Sequence, residues 1–112
     1  MKTSVITYNE IEGYHRWPYA PQPSSIAYLA SKHRHVFVIE CEFHVTHDDR
    51  DIEIIRQQHI IEEFIRDRHG IPAEFHDMSC EAIAKEIMQY FPECESCIVR
   101  EDGYGGARVR RN

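Results

Sequence analysis

The sequence predicts an α+β domain whose elements run strand, strand, helix, helix, strand, strand. Three observations carry that prediction. Apolar residues alternate with period two from His33 to His47, and they recur at helical spacing from Ile52 to Arg68 and again after Ser79. Two short alternating segments then close the chain around Gly103-Tyr104-Gly105-Gly106. With 112 residues and 42% hydrophobic content, the chain supplies one modest core and not two, so residues 1–112 read as a single domain.

The first strand spans Val5 to His15, a mixture of β-branched and aromatic residues in which Ile11, Gly13 and His15 share one face and Glu12 and Tyr14 the other. Three prolines between Trp17 and Ser25 then break regular structure and make a loop. The second strand is the clearest. Phe37, Ile39, Cys41, Phe43 and Val45 fall on one parity, with Glu40, Glu42 and Thr46 on the other.

Asp48, Asp49 and Asp51 suit the start of the first helix, where the dipole favours negative charge. Along it Ile54, Ile55, Ile61, Phe64 and Ile65 form an apolar stripe against a polar face of Arg56, Gln57, Glu63 and Asp67, until Gly70 and Pro72 end it. Ser79 is the expected N-cap of the second helix, whose stripe is Ile83, Ala84, Ile87, Met88, Tyr90 and Phe91. Segments Cys97 to Glu101 and Ala107 to Arg110 read as the final hairpin.

A net charge of −6 argues against a general binder of nucleic acid or anionic membranes, which need a basic surplus. Arg108, Arg110 and Arg111 are a local exception and read as a solvated end strand. No apolar run is long enough to span a bilayer and no signal-peptide core precedes the first strand, so a cytosolic location is expected. Under cytosolic redox conditions Cys41, Cys80, Cys94 and Cys97 are expected as thiols. The lone Cys94-Glu95-Ser96-Cys97 is weak support for zinc or dithiol chemistry.

The informative constellation is His15 with His33-Arg34-His35. Residues two apart on a strand point the same way, so His33 and His35 can reach one ion together, and both lie on the apolar parity. Neutral imidazole is the commonest metal ligand, and three of them with one open position let zinc polarise a substrate.

These features resemble the 6-pyruvoyltetrahydropterin synthase and 6-carboxytetrahydropterin synthase family. His15 stands in an x-E-G-x-H-R-x-P setting, His33-x-His35 opens the second strand, Ser79-Cys80-Glu81 starts a helix, and Glu101 lies late in the last hairpin. The resemblance implies the tunnelling fold: a four-stranded antiparallel sheet with two helices on one face, sheets joined between subunits into a barrel, and sites between subunits of a homo-oligomer. It implies Zn2+ on His15, His33 and His35, with Glu101 and Ser79 binding a pterin or purine ring. A carboxylate is acceptor-only and can take the paired N–H donors of an aminopyrimidinone edge.

The resemblance also implies lyase chemistry on dihydroneopterin triphosphate, in which a cysteine thiolate and an Asp-His pair move protons. Here the stretch before His33 holds Ser25, Tyr28 and Ser31 but no cysteine. The Asp-His place reads Asp67-Arg68-His69, so Asp67 and His69 are the candidate catalytic pair, with His76-Asp77 as a second candidate. Two expectations follow: a zinc-assisted lyase of the queuosine or tetrahydropterin type, or a non-catalytic tunnelling-fold protein that binds a purine, pterin or nucleotide for sensing or sequestration.

Overall fold

The computed structural model describes residues 1–112. Its elements are β1 (Ser4–His15), a short 3-10 turn (Ala27–Ala30), β2 (His33–His44), α1 (Ile54–His69), β3 (Ala73–Glu74), α2 (Cys80–Tyr90), β4 (Cys94–Glu101) and β5 (Gly106–Arg110). The architecture is α+β. The sheet, however, has five strands in the order β3-β1-β2-β4-β5 and is mixed, which corrects the expectation of four antiparallel strands. The added strand, β3, runs parallel to β1 and pairs Gly13 with Ala73 and Tyr14 with Glu74. Two residues are too few to show a period, so nothing local marks them as a strand.

One face of the sheet carries Ile11, Phe37, Ile39, Cys41, Phe43, Cys97 and Val99, and both helices pack on it. Ile61, Phe64 and Ile65 come from α1, and Ile83, Ala84, Ile87 and Met88 from α2. The other face is open: Ile6 and Tyr8 are about half exposed there, on the same side of the sheet as charged β4 and β5 residues such as Arg100 and Arg108. No helix is long and apolar enough to cross a membrane. All four cysteines are free and buried, and Cys41 faces Cys97 across the β2–β4 pair with sulfurs 3.6 Å apart.

The start of α1 differs from the sequence reading. The helix begins at Ile54 rather than Ile52, capped by Glu53, whose carboxylate accepts from the Ile55 and Arg56 amides; those two N–H groups hold its carboxyl below the usual range. Asp51 closes the preceding loop by accepting from the Thr46 amide and hydroxyl. Ile54 and Ile55, in the first turn, are exposed. The next turn meets the edge of β1, where Gln58 accepts from the Tyr8 amide and its carbonyl takes the Asn9 side chain. In α2, Ser79 caps as expected by accepting from the Ala82 amide. Tyr90 leaves the core stripe, about half exposed, and stacks on Phe64 with centroids 4.3 Å apart.

Gly13 lies where β1 is crowded by its neighbours β2 and β3. A Cβ there would lie 3.0 Å from Phe75 Cε2, 3.1 Å from the Ala73 carbonyl oxygen and 3.2 Å from Phe37 Cδ2. Gly13→Ala is therefore expected to destabilise the fold by about 1–3 kcal/mol through overpacking, read as a lower midpoint in urea denaturation. An unchanged midpoint would show that β3 yields freely.

Candidate metal centre

The register of β1 on β2 places His15 opposite His33, Gly13 opposite His35 and Ile11 opposite Phe37. Because side chains alternate, His15, His33 and His35 project to the same side as the core residues Ile11 and Phe37, at the end of the sheet where the core runs out. Their ring centroids form a triangle with sides of 4.5, 5.0 and 5.3 Å, resting on the Phe37 ring 5.1 Å from His15 and 5.6 Å from His35. Glu101, opposite Phe37 at the end of β4, joins them. One nitrogen of each imidazole and one oxygen of this carboxylate all lie within 4.8 Å of one another.

Each histidine is held by its Nδ1. In His15 this atom lies 2.9 Å from the Met78 carbonyl oxygen, in His33 it lies 2.9 Å from the Ser31 carbonyl oxygen, and in His35 it lies 2.6 Å from Asp102 Oδ2. Carbonyls and carboxylates only accept, so each Nδ1 is the donor, and in the neutral ring each Nε2 keeps its lone pair. The Nε2 atoms of His15 and His35 are buried without a hydrogen-bond partner. Outer partners that fix the ring and leave the inner nitrogen free are how metal-binding histidines are supported. The group can hold a metal ion. Burial, first, keeps His15 below the usual imidazole range, which favours the neutral form that ligation needs.

Asp102, which the sequence reading missed, supplies the carboxylate for His35. Its Oδ1 accepts from the Val36 amide and its own amide donates to the Val36 carbonyl, so it extends the β2–β4 pairing by one residue. The Val36 N–H, then His35, hold its carboxyl below the usual range. The left-handed backbone at Asp102 (φ 56°) and Gly103 (φ 78°) makes this turn, and the Asp-Gly dipeptide is the signal that could have found it. β3 does the equivalent for His15. The Phe75 amide donates to the Tyr14 carbonyl and the Arg16 amide to the His76 carbonyl, which carries the chain to Met78.

The cluster opens into a cleft of about 760 Å³ walled by Trp17, Leu29, Ser79, Cys80 and Tyr104. Ser79 thus reaches the cleft, although its hydroxyl oxygen already caps α2. Cys80, also missed, is a thiol inside the cleft. Burial, with the Glu101 charge beside it, pushes it up to about 12, so it is protonated near neutrality. Asp77 lines the rim and pairs with Arg16 at 2.8 Å.

Asp67 and His69 are not brought into the cleft of their own chain. Asp67 borders a polar surface depression on α1 with His59, Glu62, Glu63 and Arg66. His69 meets Glu86 of α2 at 2.6 Å and packs on Phe75 with centroids 4.8 Å apart. Each helical residue turns the side chain by about 100°, so the two steps from Asp67 to His69 set them on nearly opposite sides, His69 inward and Asp67 exposed. Compared with known proteins, the chain matches no family model and no curated protein.

Proposed function

We propose that the cleft is a zinc-dependent site for a pterin or purine ring, and that the chain acts as a carbon–oxygen lyase of the 6-carboxytetrahydropterin synthase type on dihydroneopterin triphosphate or a related substrate. The observation that carries this reading is the set of three imidazoles with Nδ1 occupied by outer partners and one nitrogen of each within 4.8 Å of the others, Nε2 of His15 and His35 being unpartnered. Bound zinc would polarise side-chain oxygens of a substrate. Trp17 and Tyr104 offer aromatic surface at the rim, and Ser79 and Glu101 offer polar contacts. Proton transfer needs more than this chain's own cleft supplies, so Asp67 and His69 would have to come from a neighbouring subunit of a homo-oligomer, with His69 released from Glu86. The uncovered sheet face and the β5 edge leave room for one.

A second reading is favoured by the position of Asp67 and His69 and by the protonated Cys80: a protein that binds a purine, pterin or nucleotide for sensing or sequestration without turnover. One experiment separates the two. Incubation of the zinc-loaded protein with dihydroneopterin triphosphate is expected to release triphosphate, detected by phosphorus NMR. Ring binding by calorimetry with no release decides for the second reading. Neither binding nor release removes both.

A further inference from the structure

The histidine trio explains three free lone pairs but leaves Glu101 unexplained. Its Oε2 lies 3.0 Å from His15 Nε2 and 3.7 Å from His35 Nε2. The shorter approach is not a hydrogen bond, since it misses the ring N–H direction and His15 Nε2 has no hydrogen-bond partner. In the neutral rings that ligation needs, Nδ1 is the committed donor of each, so the two Nε2 atoms are acceptors, and Glu101 is one as well. A carboxylate oxygen crowded against two lone pairs is repelled unless a positive centre lies between them. No neighbouring arginine or lysine is free to be that centre: Arg16 is taken by Asp77, Lys32 by Glu74 and Arg34 by Glu12.

Resting on the metal reading of the histidine trio, we propose that Glu101 is itself a metal ligand, so that three imidazoles and one carboxylate form a four-donor set for a divalent cation of the zinc type. Such a set is closed. Zinc sites with four protein ligands are structural, whereas catalytic sites keep one position open. A ring-bearing ligand therefore gains the metal only when Glu101 leaves it. The Glu101 side chain is 38% exposed, which gives it a solvent side to swing toward, whereas His15 is 9% exposed and fixed.

The backbone supports this role. The Glu101 amide donates to the Gly105 carbonyl and its carbonyl accepts from the Tyr104 amide, so the residue is tied at both ends of the turn. The left-handed Asp102 then directs its own carboxylate to His35. Two consecutive acidic residues thus serve one centre, Glu101 as a ligand and Asp102 as the group that orients a ligand.

The test uses the full chain with Zn2+ and Co2+ as probes. Glu101→Gln is expected to weaken zinc binding by at least about 10–100-fold in competition with a chelator, as loss of even an outer partner does. It is also expected to change the visible absorption of the Co2+-loaded protein. His33→Ala reports on the centre as a whole and abolishes tight binding in any case. Unchanged zinc affinity and an unchanged Co2+ spectrum in Glu101→Gln would overturn the fourth-ligand assignment and leave the trio standing. No zinc bound by the unaltered protein would overturn both. Should Glu101→Gln fail to fold, a crystal structure of the zinc-loaded unaltered protein decides. The Glu101 carboxylate in the metal's inner shell supports the assignment, and water there with Glu101 turned away overturns it.

Discussion

Phe37→Ala is expected to destabilise the protein by about 3–5 kcal/mol, the usual cost of removing a fully buried phenylalanine ring. Phe37 is 0% exposed and lies between the core and the cluster, with its ring 5.0 Å from Phe75, 5.1 Å from His15 and 5.6 Å from His35. Removing it opens a cavity directly beneath two imidazoles. The loss has two parts, fewer dispersion contacts for the core and a missing floor for His15 and His35. Chemical denaturation measures the first. Zinc competition measures the second and is expected to show weaker binding even where the protein is still folded, because rings without support lose their preorganisation. Phe37→Leu, which restores most of the volume, is expected to cost roughly 1–2 kcal/mol. A loss below about 1 kcal/mol for Phe37→Ala would show that the site collapses around the gap and is not built on this ring.

The second large effect concerns the metal. The purified protein is expected to carry about one zinc per chain, as a three-histidine site implies. At free zinc of about 1,000 times its dissociation constant, the ion stabilises the folded state by about 4 kcal/mol, because it binds that state alone. Removing it with a chelator is expected to lower the melting temperature, and adding zinc back to restore it. His33→Ala should abolish this response while changing the stability of the metal-free protein little, since His33 is only partly buried and its Nδ1 partner is the nearby Ser31 carbonyl. Metal analysis showing no zinc, with chelator and His33→Ala both without effect on melting, would remove the metal centre.

Legibility in the sequence follows the length of each pattern. β2 and α2 are long enough to repeat, so Phe37, Ile39, Cys41 and Phe43 and likewise Ile83, Ala84, Ile87 and Met88 could be assigned to the core from period alone. Ile54 and Ile55 misled because periodicity shows which face a residue shares and not whether anything packs against that turn. Ala73 and Glu74 form a strand only because β1 offers them a parallel edge. Asp102 was invisible as a site residue because its role depends on a single left-handed turn that brings it back to Val36 and His35.

By itself the sequence determined which side chains share a face: Ile11 with Gly13 and His15 on one strand, and His33 with His35 and Phe37 on the next. Alternation is a property of the extended backbone and needs no partner. Convergence is a different matter. That His15 stands opposite His33 depends on strand register, that each Nε2 is free depends on carbonyls and a carboxylate from three separate loops, and that Glu101 joins the group depends on where β4 ends. Tertiary structure also decided that Asp67 and His69 lie away from the cleft, because the face each residue of a helix end presents is set by how that helix packs.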